Sequence, residues 1–326
     1  FIKTVNKGLG VATADYILLL NTDCLLGRNT IQKLIHHTQT DVNVGLVSPI
    51  SNNSPIVSYS MVEGLSFIEM NDLFDKLFHA ESFDACTIVG NCLLVTKSCL
   101  QQVGLLDESY GRGYGEETDY QFKAMEKGFK AKIALDTYVY HKGEISFGSS
   151  KTMDIHRQNN YKLFMQRWGS QYDDLYSAYK KHDPIKYIDK KIKTYCKKNE
   201  MRSNYDAIYY LPGLDQRYGG MHLVIDIINH MIVEGLKVNV VIPRQGKFLE
   251  KMFFQPIVVK RLAKSTITTK NIIATFWDSM FDAYSYAKKH AETRLLYFIQ
   301  GPETYFNNSI NFSAVAKTYE LADKNI

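Results

Sequence analysis

Short apolar runs alternate with amphipathic stretches along the first half of this chain, and this alternation constrains its fold more than any other feature. The run Tyr16–Leu20 is too short for a buried helix and stops at the polar triplet Asn21-Thr22-Asp23. This pattern predicts a buried central strand of a parallel sheet. Further strands are predicted at 45–49, 92–96, 131–135 and 138–140, and helices at 30–38, 98–103, 116–127 and 154–168. The first part of the chain is therefore predicted to be an α/β domain.

A second pattern of strand, helix and strand begins near residue 205. The segments DAIYYLP and KVNVVIP are strand candidates, and MHLVIDIINHMIVEG between them is a helix candidate that ends at Gly235. Such a βαβ unit predicts a Rossmann-like domain. The stretch before it is rich in Tyr, Lys and Asp, so we expect a basic connector that contains some helix. The predicted domains are 1–170 and 204–326, joined by the connector 171–203.

The composition fits a folded protein whose excess positive charge is local. Apolar residues make up 45% of the chain and charged residues 22%, which indicates a sizeable core. The formal net charge is +5, but nine Lys or Arg oppose three acids between Lys180 and Arg202. The rest of the chain is close to neutral, which argues against binding of nucleic acid. The stretch 180–202 is either a solvated linker helix or a patch that contacts anionic lipid headgroups.

Cysteine usage and hydropathy indicate the compartment. The five cysteines form no CxxC pair, which fits neither a disulfide framework nor a zinc site. No apolar run approaches the roughly 20 residues that a membrane helix needs. We therefore expect a cytoplasmic protein, with peripheral association at the inner face of the cytoplasmic membrane as an alternative. The start at Phe1 is not a signal peptide, and we expect the chain to begin inside a longer protein.

Two polar residues follow predicted strands and are candidate ligands. Asp23 comes directly after its strand, at the edge where open α/β sheets bind ligands. A carboxylate there suits a hard cation such as Mg²⁺ or Mn²⁺ that bridges a diphosphate. The same residue would equally serve as the cap of the following helix. His141 also follows a strand candidate, although an isolated histidine is more often structural than a ligand.

Three acids crowd the start of the predicted helix 116–127, directly after the glycine-rich segment YGRGYG. They are Glu116, Glu117 and Asp119. The helix dipole stabilises acids in a first turn by about 0.3–1 kcal/mol each, which explains one or two of them without any function. Adjacent carboxylates also repel, which raises the pKa of one of them toward the range of a general base. The third acid and the glycines favour a catalytic site.

Together these segments resemble the family-2 glycosyltransferases of the GT-A fold, in particular the rhamnosyltransferase-like branch that builds surface polysaccharides. The motifs occur in family order and are VNKGL, ADYILLLNTD, VGNCLLVTKSCLQQVGLLDESYGRGYGEETDYQFKAMEKGF and YVYHKG. The resemblance implies a GT-A nucleotide-diphospho-sugar transferase domain that is truncated at its N-terminus, since the nucleotide-binding strand of the family lies before Phe1. It further implies weak donor binding and no turnover for the isolated chain.

The same resemblance assigns the donor and metal sites. Asn21, Thr22 and Asp23 stand where the family has its DxD-type motif, and with Asn6 of VNKGL they would bind a nucleotide-diphosphate sugar donor. Asp23 and His141 would bind the metal cofactor, Mg²⁺ or Mn²⁺. Asn21 replaces the first acid of the motif, so the metal would depend more on Asp23, His141 and the donor phosphates.

The resemblance also places the general base on Glu117, with Glu116 and Asp119 positioning the acceptor or tuning the base. A nucleotide sugar already has a good leaving group, so the enzyme must neutralise the departing diphosphate and deprotonate the attacking hydroxyl. The implied activity is a metal-dependent, inverting transfer of a hexose, such as rhamnose, to a glycan or lipid-linked hydroxyl acceptor.

The second domain resembles the start of a family-4 glycosyltransferase of the GT-B type, on the segments YLPGLDQRYGGMHLVIDIINHMIVEGLKVNVVIP, NIIATFWDSMFDAY and RLLYFIQGPETYF. It would be a partial Rossmann-like GT-B N-terminal domain, catalytically incomplete by itself. Two alternatives remain for the whole chain. A sugar-phosphate nucleotidyltransferase would need a glycine-rich basic phosphate loop, which the sequence lacks. A non-catalytic glycan-binding remnant is disfavoured by the retained Asp23, Glu117 and His141.

Overall fold

The computed structural model describes residues 1–143, 151–199, 203–215, 219–244, 252–299 and 312–326. The chain forms two compact units, which are Phe1–Ser60 with Met70–Tyr195, and Met61–Glu69 with Cys196–Ile326. Residues 171–195 of the predicted connector thus belong to the first unit, and residues 200–202 of it lie outside the described residues. The domain boundaries 1–170, 171–203 and 204–326 stay predictions.

The first unit contains a six-stranded sheet in the order β1-β5-β3-β6-β2, with β4 paired to β6. Its strands are β1 (Tyr16–Leu20), β2 (Cys24–Leu26), β3 (Val44–Ser51), β4 (Ser82–Asp84), β5 (Cys92–Thr96) and β6 (Lys130–His141). The helices up to residue 198 are α1 (Ile2–Val11), α2 (Thr30–Gln39), α3 (Phe67–Phe78), α4 (Lys97–Val103), α5 (Glu116–Glu126), α6 (Lys151–His182) and α7 (Pro184–Lys198). None of the helices that the structure describes is long and apolar enough to span a bilayer.

The sheet is mixed, and this corrects the expectation of a central parallel strand at Tyr16–Leu20. β3 and β6 are parallel, whereas β1 lies at one end of the sheet and runs antiparallel to β5. β1 is also only half-buried and its last residue, Leu20, is exposed, so a run of apolar residues fixes neither full burial nor the direction of the neighbouring strand. In this register Leu20 pairs with Cys92, so the end of β1 and the start of β5 share one edge of the sheet. The ends of β3 and β6 lie at the same edge.

The centre of the sheet is fully buried, which holds this edge rigid. All eight residues of β3 are buried between β5 and β6. Its side chains pack with Leu34 of α2 and with Leu94 and Val139 of the neighbouring strands in one apolar cluster. Loops that follow such strands are well positioned for a site.

Helix α6 is longer than the predicted helix 154–168. It continues to His182 because three tyrosines occupy one face of the helix and stack on each other. The ring centroids of Tyr172 and Tyr176 are 5.7 Å apart, and those of Tyr176 and Tyr179 are 6.4 Å apart. The sequence pattern predicted a polar connector from residue 171 onward. In the structure this stretch is helical, and its packing comes from aromatic side chains.

The second unit contains a fully parallel sheet in the order β9-β8-β7-β10-β11-β12. Its strands are β7 (Ala207–Tyr210), β8 (Val238–Ile242), β9 (Ile257–Val258), β10 (Asn271–Ala274), β11 (Arg294–Tyr297) and β12 (Lys324–Asn325). Its helices are α8 (Gly219–Val233), α9 (Trp277–Ala287) and α10 (Phe312–Leu321). This is the strand order 3-2-1-4-5-6 of a Rossmann-like fold. The assignment of this unit to GT-B stays a prediction.

The segment Met61–Glu69 joins the second unit by backbone pairing. The Gly64 amide donates to the Gln255 carbonyl at 2.8 Å, and the Gln255 amide donates to the Leu65 carbonyl at 2.9 Å. The Tyr205 hydroxyl donates to the Gly64 carbonyl at 2.7 Å. A short piece of chain that precedes most of the first unit is therefore part of the second.

Candidate functional site

Asp23 and His141 lie side by side at the edge where β1 and β6 end. Asp23 Oδ2 is 3.4 Å from His141 Nε2, and both side chains are largely buried. The Gly143 amide donates to the same Oδ2 at 3.1 Å, and the Lys142 amide donates to the Asp23 carbonyl at 3.0 Å. These bonds hold the carboxylate against the imidazole ring. The structure thus brings together the two residues that the sequence assigned to the metal.

The turn after β3 orients the His141 ring through hydrogen bonds with Asn52 and Asn53. The Asn52 side chain accepts from the His141 amide at 2.6 Å and donates to the His141 carbonyl at 3.0 Å. His141 Nδ1 lies 2.8 Å from the Asn53 carbonyl oxygen. Since a carbonyl only accepts, we assign a proton to Nδ1, which leaves Nε2, the nitrogen that faces Asp23, as the candidate ligand atom of the ring. Metal-binding histidines are held in this way, with the other ring nitrogen donating to a carbonyl.

The donor atoms fit a hard divalent cation. Cys24 Sγ also lies within 4.8 Å of the ligand atoms of Asp23 and His141, but it donates to the Asn91 carbonyl at 3.4 Å. Burial, with smaller contributions from Cys92 and Asp23, raises the pKa of the Cys24 thiol to about 12. Without a bound ion the thiol is therefore protonated and bonded to the Asn91 carbonyl, and a soft thiolate is the donor that hard cations such as Mg²⁺ and Mn²⁺ favour least. One carboxylate and one imidazole remain, which suits Mg²⁺ or Mn²⁺ completed by phosphate oxygens and water.

The other residues assigned to the donor make mainly backbone or structural contacts. The Asn21 amide donates to the Asn91 carbonyl at 2.9 Å, and the exposed Thr22 follows it in the turn. Asn6 lies on α1, where its side chain donates to the Leu106 carbonyl and accepts from the Leu106 amide, both at 2.9 Å. Asn6 thus ties α1 to the segment before α5. Donor binding by Asn6, Asn21 and Thr22 stays a prediction.

Glu116 and Glu117 form a carboxyl pair at the start of α5. Glu116 is only 5% exposed, and burial together with the neighbouring charge of Glu117 raises the pKa of Glu116 to about 9. Glu116 is therefore protonated at neutral pH. Within the described residues, Oε2 of each carboxyl is buried and has no hydrogen-bond partner. The Glu117 carboxyl faces Gly90, where a Cβ would lie 3.4 Å from Oε1, and the buried Oε2 keeps its lone pairs unused.

Asp119 is separate from this carboxyl pair. It is fully buried and accepts hydrogen bonds at Oδ1 from Trp168 Nε1 at 2.8 Å and from Arg167 at 3.1 Å. Its Oδ2 lies 2.7 Å from Lys123 Nζ. These contacts join α5 to α6. The structure therefore gives Asp119 the role of an anchor, two positions away from Glu117 on the helix.

Helix α6 also holds the glycine-rich loop, a role that the sequence did not indicate. Asn160 Nδ2 donates to the carbonyls of Tyr110 at 2.9 Å and Gly113 at 2.7 Å. The Arg112 amide donates to His156 Nε2 at 3.2 Å. The positive φ of 117° at Gly113 favours glycine at this bend. His156 and Asn160 are one helical turn apart, and this spacing is the only signal that could have identified them.

Comparisons with known proteins give little further information. No family model matches the chain, and no curated protein matches it. Among solved structures, that of GalNAc-T7 with UDP, GalNAc and Mn²⁺ is similar at 16% identity and a TM-score of 0.39. The match covers 53% of this chain and 36% of that chain, so this chain spans about a third of the length of that protein. A match this weak supports no conclusion about function.

Proposed function

We propose that the first unit belongs to a metal-dependent glycosyltransferase that transfers a sugar from a nucleotide-diphosphate donor with inversion. One observation carries the proposal: the candidate metal ligands Asp23 and His141 lie 3.4 Å apart, and the loop next to them borders the Glu117 carboxyl, whose Oε2 has no hydrogen-bond partner among the described residues. The two sides are linked through the loop Gly90-Asn91, which faces Glu117 at Gly90 and bonds the Asp23 turn at Asn91. The candidate metal ligands and the candidate base Glu117 therefore both adjoin the loop Gly90-Asn91.

The chemistry follows from these groups. A divalent cation at Asp23 and His141, when bound, supplies neutralisation of the departing diphosphate. Glu117 takes the proton of the attacking acceptor hydroxyl. The raised pKa of Glu116 favours its protonated form, which limits repulsion between the two carboxyls. Attack from the face opposite the nucleotide inverts the anomeric centre in one step, so the enzyme needs no nucleophilic serine or cysteine.

The substrates in this proposal come from the sequence resemblance. The donor is a nucleotide-diphosphate hexose, such as a rhamnosyl donor, and the acceptor is a glycan or a lipid-linked hydroxyl of a surface polysaccharide. The second unit is proposed as part of a GT-B partner domain, in keeping with its parallel Rossmann-like strand order.

The proposed place of action is the inner face of the cytoplasmic membrane, contacted by α7. Ile188 and Ile192 of this helix are buried at 0% and 1% exposure. Lys186, Lys190 and Lys193 are exposed, and their spacing of four and three residues aligns them along one face. Lysines are mobile point charges, which suits a diffuse layer of anionic headgroups better than the specific recognition of one phosphate.

The test is a transfer assay on the full enzyme with a panel of nucleotide sugars and Mn²⁺ or Mg²⁺. Glu117→Gln should lower kcat by about 10²–10⁴-fold, the usual contribution of a general base, while donor binding stays nearly intact. Glu126→Gln on the exposed end of the same helix is the matched control. Unchanged turnover in Glu117→Gln would refute the base. Release of diphosphate from a sugar phosphate and a nucleoside triphosphate would instead indicate a nucleotidyltransferase, and sugar binding without turnover a glycan-binding protein.

A further inference from the structure

Asn91, at the start of β5, contacts both sides of the metal pair although it is not itself a candidate ligand. The residue is 4% exposed. Its carbonyl accepts from the Asn21 amide at 2.9 Å and from Cys24 Sγ at 3.4 Å, the residues that flank the turn of Asp23. Its backbone therefore fixes the turn that carries the carboxylate.

The side chain of Asn91 reaches the opposite loop. Asn91 Nδ2 donates to Ser51 Oγ at 3.3 Å and to the Asn53 carbonyl at 3.5 Å. The Asn53 carbonyl is the group that accepts from His141 Nδ1 at 2.8 Å. The amide of Asn91 thus bonds the same oxygen that orients the imidazole. Asn91 thus bonds both the turn that carries Asp23 and the carbonyl that orients His141.

The residue before Asn91 extends this arrangement to the base. Gly90 faces the Glu117 carboxyl, and its φ lies outside the left-handed region, so backbone conformation does not require glycine there. The absence of a side chain leaves room beside the carboxyl oxygen. The dipeptide Gly90-Asn91 therefore contacts the supports of Asp23 and His141 and the carboxyl of Glu117.

We infer that Asn91 is a positioning residue that fixes His141 relative to Asp23, and through Gly90 relative to Glu117. This inference rests on the proposed function, since it assigns a role toward the same cation and base. A purely structural asparagine would stabilise β5 without affecting the ring of His141. Loss of a positioning asparagine changes the cation affinity and the tautomer of the His141 ring even when the protein remains folded.

The experiment compares wild type, Asn91→Ala and Asn71→Ala. Asn71 is also a buried asparagine, and the bonds that the structure describes for it go to the backbone of Arg28 and Tyr138 and not to Asp23, His141 or Glu117. Titration with Mn²⁺ alone, followed by electron paramagnetic resonance, gives the affinity. We expect about 10–100-fold weaker Mn²⁺ binding in Asn91→Ala, as for other groups that orient ligands, and little change in Asn71→Ala.

A second measurement does not depend on the metal. ¹⁵N NMR of the histidine ring at fixed pH reports how much of the proton resides on Nδ1. Asn91→Ala should shift the ring signals of His141 toward a tautomer mixture, and Asn71→Ala should not. If Asn91→Ala does not fold, Asn91→Asp replaces the donor by an acceptor of the same shape and should give the same shift.

The outcomes separate this inference from the proposed function. Equal Mn²⁺ affinity and unchanged ring signals in the Asn91 variant would overturn the positioning role. A wild type that binds no Mn²⁺ would refute the metal site, and the ring signals would still decide the role of Asn91. Loss of affinity of equal size in both asparagine variants would also overturn the inference, because it would reflect general destabilisation.

Discussion

Replacing Glu116 by glutamine should change the pH dependence of stability more than any other single substitution at this site. The pKa of Glu116 is raised to about 9 by burial and by the adjacent Glu117, whereas an unfolded glutamate titrates near about 4.3. Between these values the folded protein holds one more proton than the unfolded chain. Stability contributed by this group is therefore full at low pH and is lost as the pH rises toward 9.

The magnitude follows from the linkage relation. One extra bound proton changes the free energy of unfolding by about 1.4 kcal/mol per pH unit, so between pH 6 and pH 8 the wild type loses up to about 3 kcal/mol through this carboxyl. Glu116→Gln stays neutral and lacks this loss. The difference in unfolding free energy between variant and wild type should thus move by up to about 3 kcal/mol in favour of the variant over this range.

The assay uses urea unfolding followed by tryptophan fluorescence. The chain has two tryptophans, and in a Trp277→Phe background Trp168 reports on the first unit alone. Glu126→Gln, which removes an exposed carboxylate from the same helix, is the control for the change of charge. Parallel pH profiles of the wild type and Glu116→Gln would show that Glu116 does not hold a proton in the folded state, and the reasoning would fail.

Two further predictions concern the anchor and the membrane. Asp119→Ala leaves the buried Trp168 Nε1 and Tyr110 hydroxyl without their acceptor, while Arg167 and Lys123 keep Asp107 as a partner. The first unit should therefore lose about 2 kcal/mol or more of unfolding free energy, at about 1–3 kcal/mol per unsatisfied group; a loss below about 1 kcal/mol contradicts the anchor role. Replacing Lys186, Lys190 and Lys193 by Gln should weaken sedimentation with phosphatidylserine vesicles about 100-fold, at about 1 kcal/mol per lysine. Equal binding of wild type to phosphatidylcholine vesicles would contradict the lipid contact.

The local pattern of the sequence predicts most elements of the first sheet but not their pairing. The runs at Tyr16–Leu20 and Cys92–Thr96 form strands with these bounds. Their antiparallel pairing could not be predicted, because register and direction depend on partners far away in the chain. Helix α6 was predicted too short, since Tyr172 and its neighbours pack through aromatic stacking that a simple apolar count ignores.

Some residues of the candidate site could likewise be predicted from the sequence, and others could not. Asp23 and His141 are recognisable because each follows a strand, and the carboxyl ends of strands meet at one edge. The supporting residue Asn52 directly follows β3 and so has the same signal, but its bonds join residues 89 apart in the chain and could not be predicted. Asn91 lies before β5 and carries no such signal. For Asp119, a position in an acidic cluster does not reveal that its side chain turns toward Arg167, and its role in positioning the acceptor or tuning Glu117 stays a prediction.

The segment Met61–Glu69 determines how the chain connects the two units. The chain passes from one unit to the other after Ser60, after Glu69 and after Tyr195, three times in all. A single proteolytic cut after Ser60 or after Glu69 leaves residues 70–195 and 196–326 in one fragment, whereas a cut after Tyr195 leaves residues 196–326 held to residues 61–69 by noncovalent contacts. A fragment that starts at Cys196 also lacks the strand-like piece that pairs with Gln255, and it leaves that backbone edge open for pairing with another chain. Separate production of the second unit therefore calls for a circularly permuted chain that carries residues 61–69.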